Sequence, residues 1–266
     1  MRITALYTHP VKGGHRLEHE RVVVEPWGLA GDRRWMLVDD DGVGITQRDE
    51  PRLTQLRARP RPGGLVLSAP GRPDLDVPEP VDQPDEFVRV FRSKEKLPAR
   101  IAESGWSSAF LGRPARLAWQ ADPNGRPIAE AARDGDRVNL ADGYPLLLAN
   151  TASLDAVNDW LVEAGEEPVP MTRFRPNLVV TGAPAWAEDD WLGGRLRIGE
   201  VTFRAAKSCA RCVVTTIDQE TGERTGQPLK MLGRHRRYDD GLLFAINLIP
   251  DEPLGVLRVG DPVSLV

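Results

Sequence analysis

The stretch KSCARCVVTTIDQETGERTG, residues 207–226, contains both cysteines of this 266-residue chain, Cys209 and Cys212. Two cysteines at this spacing can form half of a zinc site, a redox-active dithiol, a pair of inert thiols, or one metal-binding thiolate with a neighbour. The β-branched run Val213–Ile217 that follows predicts a strand, and the residues up to Gly222 predict a turn.

The alternatives for the pair differ in the surroundings that each requires. A structural zinc site uses four ligands, and the best-spaced histidines, His15 and His19, lie far upstream. A thioredoxin-like dithiol begins a helix that lowers the thiol pKa, whereas Cys212 leads into a β-branched run. Two inert thiols are the simplest explanation from composition. The neighbours Lys207 and Arg211 favour a thiolate instead, because cations stabilise the ionised form that metals bind.

The composition is that of a globular protein. Hydrophobic residues make up 41% and charged residues 28% of the chain, and this length suits one large domain or two ordinary ones. No apolar run reaches the roughly 18 residues of a membrane helix, and His9-Pro10 interrupts the start too early for a signal peptide. Two cysteines do not form a disulfide framework, so we expect a soluble protein of the reducing cytoplasm.

The charge balance argues against nucleic acid as a partner. The formal net charge is −4 at pH 7, so no global field attracts a polyanion. The basic cluster at residues 234–237 could hold a small anion, although a solvent-exposed loop is the simpler explanation. We expect neither a nucleic-acid partner nor a membrane partner.

Short β-rich runs dominate the predicted secondary structure. Only two segments, residues 102–111 and 153–164, have helical spacing of apolar residues, and the Pro- and Asp-rich residues 69–86 are predicted to form a surface loop. The predicted strands are residues 21–24, 35–39, 65–68, 87–91, 177–182, 195–198, 201–204, 213–217 and two short runs within 256–266. Regularly spaced strands without βαβ alternation predict a mainly β protein with attached helices, of the α+β class and built on a β-barrel.

A polar stretch with Gly and Pro, residues 120–127, is the predicted domain boundary. It divides the chain into an N-terminal domain of residues 1–120 and a second domain of residues 121–266. The sequence contains neither a Gly-x-Gly-x-x-Gly motif nor a Walker loop, so no nucleotide-binding fold is indicated.

The segment that carries the cysteines resembles the signature of the MOSC-domain family. That family includes the mitochondrial amidoxime-reducing component, its bacterial homologues and the C-terminal part of molybdenum cofactor sulfurase. Matching segments cover essentially the whole chain in order: YTHPVKGG (7–14), GLAGDRRW (28–35), TQRDEPRL (46–53), FRPNLVV (174–180), SCARCVVTTIDQETG (208–222) and VGDPV (259–263). The resemblance implies an N-terminal β-barrel-like domain followed by a MOSC β-barrel domain.

The resemblance also implies a molybdenum–molybdopterin (pyranopterin) cofactor, with Cys212 as the thiolate on molybdenum. A soft thiolate suits a metal whose other ligands are dithiolene sulfurs. By the resemblance, Lys12 and Arg33 meet the phosphate of the cofactor, and Arg175 with Asn177 holds the pterin edge. The candidate cofactor-binding residues are Lys12, Arg33, Thr151, Ser153, Arg175, Asn177, Ser208 and Arg211. Thr151 and Ser153 begin the second predicted helix, where backbone N–H groups suit an anion.

Three residues in or near these motifs also bear on the site: Asp218, Gly13 and Ala210. Asp218 is a candidate catalytic residue that orients or protonates substrate, although Asp-x-x-Thr-Gly is also typical of a turn. Gly13 and Ala210 stand where animal members of the family carry serine, so hydroxyl contacts with the cofactor are not expected there.

The resemblance implies an oxidoreductase that reduces N-hydroxylated small molecules, namely amidoximes, hydroxylamines and N-hydroxylated bases. Two electrons and two protons per turnover leave an amine or amidine and water, and pyridoxal phosphate is not required. Two cysteines cannot hold a four-thiolate iron–sulfur cluster, so we expect a separate electron-donor protein: a ferredoxin, a flavodoxin or a cytochrome with its reductase. The family match begins close to Met1, so no membrane anchor is expected.

Two other functions stay open from the sequence. One is a non-catalytic protein of molybdenum cofactor handling, which binds molybdopterin or carries sulfur on Cys212 as a persulfide. The other is a binding module for a different phosphate ligand. Metal content and turnover of an N-hydroxylated substrate distinguish the three.

Overall fold

The fold is described by a computed structural model that covers residues 1–91, 93–103, 105–251 and 255–266. Over these residues the chain forms twenty strands and three α-helices. The mainly β fold with attached helices confirms the predicted fold class.

Twelve strands belong to the first part of the described chain and eight to the second. The strands of the first part are β1 (Arg2–Thr8), β2 (Val11–Lys12), β3 (Leu17–His19), β4 (Arg21–Glu25), β5 (Gly28–Leu29), β6 (Trp35–Val38), β7 (Arg57–Arg61), β8 (Gly64–Ser68), β9 (Leu75–Pro78), β10 (Glu86–Val88), β11 (Leu97–Glu103) and β12 (Arg116–Trp119). Those of the second part are β13 (Leu146–Asn150), β14 (Leu178–Thr181), β15 (Arg195–Ile198), β16 (Val201–Ala210), β17 (Arg237–Tyr238), β18 (Gly241–Pro250), β19 (Val256–Arg258) and β20 (Val263–Leu265). The helices are α1 (Gly105–Leu111), α2 (Thr151–Glu163) and α3 (Leu229–His235).

The largest sheet has the strand order β20-β15-β16-β18-β13-β14-β1-β3, with β17 paired to β18. Two hydrogen bonds, from Ile3 N to Asp261 O and from Val263 N to Met1 O, both at 2.9 Å, join the β20 end of this sheet to β1. β13 and β14 are parallel, and α2 makes the crossover that parallel neighbours require. The main apolar cluster, which includes the fully buried Phe203, packs on this sheet.

The remaining strands form three smaller sheets. β10-β11-β12-β6-β2 is a five-stranded sheet, and β7-β8-β9 and β19-β4-β5 are three-stranded. A second apolar cluster joins residues of the five-stranded sheet, such as Trp35 and Leu117, to Leu65 and Leu67 of β8. β2 lies parallel to β6, which fixes Lys12 beside a strand whose side chains are all buried.

The N-terminal strand does not stay with the N-terminal sheets. β1 pairs with β14 and with β3, so the start of the chain belongs to the same sheet as the second half. The division of the chain near residue 120 stays a prediction. None of the helices among the described residues has the length and apolar character that a membrane span requires.

The strand predicted for residues 213–217 is wrong. Val213–Thr216 forms a short 3-10 helix that begins directly after Cys212. The hydroxyl of Thr215 donates to Cys212 O at 2.9 Å, and that of Thr216 donates to Val213 O at 2.7 Å. These local hydrogen bonds compete with the hydrogen-bond ladder of a β-sheet. They therefore override the β propensity of residues 213–217.

Other predictions were imprecise at the edges of elements. The predicted loop 69–86 contains β9, the predicted strand 87–91 ends at Val88, and α3 was not predicted. The predicted helix 102–111 begins only at Gly105, because Ala102 and Glu103 still belong to β11. Ser104 lies outside the described residues. The predicted helix 153–164 is present as α2.

Candidate functional site

Both cysteines line one cavity of about 490 Å³, to which both halves of the chain contribute. The charged side chains in its wall are six basic ones, Lys12, Arg33, Arg48, Arg175, Lys207 and Arg211, and two acidic ones, Asp142 and Asp240. An excess of guanidinium and ammonium groups in a concave site favours an anionic ligand.

Lys12 reaches the cavity from β2 and is almost fully buried. Its Nζ donates to Asp142 Oδ1 at 2.5 Å. Burial lowers the pKa of Lys12, and the Asp142 carboxylate opposes that shift. The Asp142 side chain is 63% exposed, so this ion pair lies at the open side of the cavity, where a ligand anion can share the ammonium group.

Arg33 is held in place by a buried network. Its backbone is left-handed, with φ of 45°, and its Nη1 donates to the carboxylate of Asp32 and to Asn177 Oδ1 at 3.2 Å. Asp32 is fully buried and also accepts from His9 N at 2.6 Å. A non-glycine residue in this conformation is strained. Such residues occur where the surrounding contacts hold the backbone in place, commonly at functional sites.

Ionisation of the buried Asp32 carboxylate should make the free energy of unfolding depend on pH. Burial alone would raise its pKa, but the Arg33 guanidinium and the donor from His9 outweigh burial, and the pKa falls from 3.8 to about 2. A depressed folded-state pKa gives stability that is present above the unfolded pKa and is lost as the pH falls through about 2. We expect Asp32→Asn to lower the free energy of unfolding at pH 7 by about 2 kcal/mol.

Urea unfolding of both proteins at several pH values measures this effect. The difference between wild type and Asp32→Asn should shrink as the pH falls from 4 towards about 2. Asp74→Asn is the matched control, because Asp74 pairs with Arg59 at 2.9 Å on an exposed surface, where an ion pair contributes less than about 1 kcal/mol. A pH-independent difference would contradict the assignment.

Arg175 follows the 3-10 helix Met171–Phe174 and also has a left-handed backbone, with φ of 54°. Burial, and then the charge of Arg33, lowers its pKa to about 9. Its Nη1 donates to the neutral Gln219 Oε1 at 2.7 Å. Arg175 is half-buried in the cavity wall, and a guanidinium whose hydrogen-bond partner is a neutral amide can form a stronger, charge-assisted bond with an added anion.

Asn177 is buried and positions its neighbours. Its Oδ1 accepts from Arg33 Nη1 and from Leu147 N, both at 3.2 Å, and its Nδ2 donates to Tyr7 O at 3.1 Å. The amide thereby links β1 and β13 to the Arg33 guanidinium. These contacts make Asn177 a support of the site.

Each cysteine sulfur accepts a hydrogen bond from an arginine. Arg48 Nη2 lies 3.2 Å from Cys212 Sγ, and Arg211 Nη1 lies 2.8 Å from Cys209 Sγ. Odd spacing in a regular strand would place the two side chains on opposite faces. A register irregularity after Ser208 and the end of β16 break that alternation, so both thiols line the same cavity. Cys209 also packs against an apolar cluster.

Arg48 was not predicted as a site residue. It lies 3.8 Å from the Asp142 carboxylate, and its guanidinium stacks 3.9 Å from the centre of the Phe91 ring. Residue 48 lies within the segment TQRDEPRL, which resembles the family, but nothing in that segment signals contact with a cysteine 164 positions away.

Three predicted site residues lie outside the cavity. Thr151 Oγ1 bonds to Thr181 Oγ1 at 3.0 Å, and Ser153 Oγ donates to the buried Glu188 at 2.9 Å. At the start of α2 the Asn150 side chain accepts from Ala152 N, and the Glu188 carboxylate accepts from Ser153 Oγ and Asn150 Nδ2.

Asp218, the third of these residues, holds a turn. Its carboxylate accepts from the backbone N–H groups of Glu220 and Thr221 at 2.8 and 2.9 Å, and it lies 3.3 Å from Arg173 Nη2. Ser208 and Arg211 line the cavity. The structure therefore brings together Lys12, Arg33, Arg175, Asn177, Ser208, Arg211 and Cys212.

The donor set fits a phosphate-bearing pyranopterin that carries molybdenum. Guanidinium and ammonium groups suit the phosphate, and the Cys212 sulfur is the soft ligand that such a metal takes. Arg211 donates to Phe174 O at 2.7 Å, but its buried Nε has no partner among the described residues, which leaves a donor for a ligand. Among those residues no group of three or more His, Cys, Asp or Glu could hold a metal ion.

The fold and the site together define a mainly β protein with a basic cavity for an anionic ligand and two thiols in its wall. Residues 1–114 match the MOSC N-terminal beta barrel domain, and residues 135–264 match the MOSC domain. The chain belongs to the MOSC-domain family, as the resemblance predicted.

Three curated relatives show how far the similarity extends. The chain is 31% identical to mitochondrial amidoxime-reducing component 1 of Homo sapiens, over 99% of this chain and 82% of the relative. It is 31% identical to component 2 of the same organism, over 98% and 82%. It is 30% identical to molybdenum cofactor sulfurase of Danio rerio, over 98% of this chain but 34% of that relative.

Proposed function

We propose that this protein is a molybdenum-cofactor-dependent reductase of N-hydroxylated compounds such as amidoximes, hydroxylamines and N-hydroxylated bases. The observation that carries the proposal is the Cys212 thiol in a cavity lined by six basic side chains. Relatives that align over almost the whole chain are amidoxime-reducing components, which supports the same activity here.

The residues of the cavity divide into three tasks. Lys12, Arg33 and Arg175 bind the anionic end of the cofactor by charge-assisted hydrogen bonds. Cys212 provides the protein ligand to molybdenum, and Arg48 holds that sulfur through its Nη2 donor. When bound, the cofactor supplies the two-electron reduction of the N–O bond, while the protein orients it.

Electrons come from a separate protein in this proposal. The two cysteines of the chain are both in the cavity, and a four-thiolate iron–sulfur cluster needs more. A ferredoxin, a flavodoxin or a cytochrome with its reductase would fill this role.

We expect the purified, molybdenum-loaded protein to reduce benzamidoxime with chemically reduced viologen and to show no turnover with NAD(P)H alone. The reason is that the chain contains no flavin or iron–sulfur motif to accept a hydride or relay its electrons. The measurement is benzamidine formation, together with molybdenum and pterin content. Steady NAD(P)H-driven turnover by the pure protein would contradict the need for a donor.

A second function is favoured by the similarity to molybdenum cofactor sulfurase. In that case the protein binds molybdopterin, or carries a persulfide on Cys212, without reducing an N-hydroxylated substrate. Bound molybdenum without turnover under reduced viologen would favour this alternative. Protein that binds another phosphate ligand and takes up neither molybdopterin nor a persulfide on Cys212 would exclude both functions.

A further inference from the structure

Two buried glutamine side chains, Gln47 and Gln219, form a reciprocal amide pair next to the cavity. Gln47 Nε2 donates to Gln219 Oε1 at 3.0 Å, and Gln219 Nε2 donates to Gln47 Oε1 at 3.1 Å. Gln47 is part of the cavity wall and Gln219 is not. Because the two residues are 172 positions apart, the pair joins the first half of the chain to the turn that follows Cys212.

The hydrogen bonds of Gln219 fix the orientation of its amide. Its Oε1 also accepts from Arg175 Nη1 at 2.7 Å, and its Nε2 also donates to Ile217 O at 3.0 Å. A primary amide has two donor hydrogens and two acceptor sites on its oxygen, so all four are used. An inverted amide would direct N–H groups at the Arg175 guanidinium, which is itself only a donor. The oxygen of Gln219 therefore faces Arg175.

The turn that contains Gln219 is anchored on the first half of the chain. Gly222 has a φ of 78°, and a Cβ at this position would lie 3.1 Å from Thr54 Oγ1. The Glu220 carboxylate lies 3.0 Å from Nε2 of the buried His15. These contacts hold the turn, and with it the backbone of Gln219, in place.

Arg175 differs from the other two cations proposed to bind the anionic end of the cofactor. Lys12 and Arg33 each donate to a carboxylate of the protein, whereas Arg175 donates to the neutral amide of Gln219. A carboxylate at residue 219 would compete with an anionic ligand for the guanidinium, since ionised acceptors form the stronger bonds. A neutral acceptor orients the guanidinium and leaves its charge available to the ligand.

The same amide pair also reaches the segment of Lys12. Gln47 Nε2 donates to the backbone carbonyl of Gly13 at 2.7 Å, and Gly13 follows Lys12 at the end of β2. The pair thus connects the backbone beside one of these cations to the guanidinium of another. Such a fully hydrogen-bonded buried network is rigid.

We propose that Gln219 is a positioning residue for the cofactor, which acts through Arg175. It holds the guanidinium towards the cavity by a neutral acceptor, so that the charge of Arg175 serves the anionic end of the cofactor. This inference rests on the cofactor binding in the proposed function and adds a residue that does not line the cavity.

Gln219→Met tests the inference, because methionine is similar in length but provides no amide acceptor for Arg175. The Kd of molybdopterin is measured by titration of the cofactor-stripped, full-length protein, followed by its tryptophan fluorescence, and thermal stability is measured alongside. Gln227→Met is the matched control, since Gln227 is also buried, donates to Glu166 Oε1 at 3.0 Å and does not line the cavity.

We expect Gln219→Met to raise the Kd of molybdopterin at least about threefold, as residues in direct contact commonly couple by that much. Both methionine variants should lower thermal stability, but Gln227→Met should leave the Kd unchanged. In an Arg175→Ala background, Gln219→Met should have no further effect on the Kd, because the residue through which it acts is absent. An unchanged Kd in Gln219→Met, or an equal loss with and without Arg175, would overturn the inference.

Gln219→Glu decides the question if the methionine variant does not fold, because glutamate keeps the length of the side chain and an acceptor for Arg175. We expect this variant also to raise the Kd of molybdopterin, since the added carboxylate competes for the guanidinium. Binding as tight as in the unaltered protein would show that a neutral partner is not needed. If the unaltered protein binds molybdopterin but reduces no N-hydroxylated substrate, the proposed activity fails while the effect of Gln219 on cofactor binding stands.

Discussion

Replacing Cys212 with serine should lower the rate of N-hydroxyl reduction by more than about a hundredfold. Mutation of a residue that only supports a metal ligand lowers metal affinity or activity by about 10- to 100-fold, and Cys212 is the proposed ligand itself. The serine hydroxyl is a hard, neutral ligand where molybdenum takes a soft thiolate. The pterin should stay bound, because Lys12, Arg33 and Arg175, which we propose bind its anionic end, line the wall of the same cavity. Activity, pterin and molybdenum content are measured together.

Cys209→Ser is the control from the same segment. Cys209 packs against an apolar cluster and accepts from Arg211, so we expect substantial activity at a modest cost in stability. Loss of activity in Cys209→Ser with activity retained in Cys212→Ser would reverse the ligand assignment. Loss in both variants would return a dithiol or a paired-ligand site to consideration.

Arg175→Ala should lower molybdopterin occupancy by at least about tenfold, since a charge-assisted hydrogen bond contributes about 1.5–3 kcal/mol. The hydrogen-bond partner of Arg175 in the protein is the neutral Gln219, so its removal leaves no buried carboxylate without a partner. Pterin content after purification, and rebinding of the cofactor to the stripped protein, measure the effect.

Lys12→Ala and Arg33→Ala should have effects in the same direction, with one difference. Arg33 pairs with the fully buried Asp32, so Arg33→Ala should also lower thermal stability by leaving that charge unpaired. Arg197→Ala is the matched control, because Arg197 is exposed on β15 and does not line the cavity. Unchanged occupancy in all three cavity variants would exclude this set of cations as the cofactor site.

The fold class followed from the sequence because short β-branched runs and turn residues are local signals. The runs at residues 21–24 and 195–198 are strands in the structure, and 153–164 corresponds to α2. The strand prediction was wrong at residues 213–217, where the β-branched segment Val213–Thr216 forms a 3-10 helix. Threonine hydroxyls bonded to nearby carbonyls decided that segment, and propensity scales do not include such bonds.

The candidate site was predictable where its residues lie in segments that resemble the family. Lys12, Arg33, Arg175 and Cys212 all line the cavity. Ser153 lies outside the cavity, and the sequence of a helix N-terminus does not show which carboxylate its side chains meet. Glu188, 35 positions further along the chain, accepts from that hydroxyl.

The sequence by itself determined the mainly β class, the family, and the residue types that could bind an anion and a metal. Tertiary structure alone decided which of them meet: Arg48 reaches Cys212 across 164 positions, and Lys12 reaches Asp142 across 130. It also decided that both thiols face one cavity, through a register irregularity at the end of β16. The physical reason is that strand pairing and packing between distant segments set these contacts, whereas periodicity and propensity report only on neighbours along the chain.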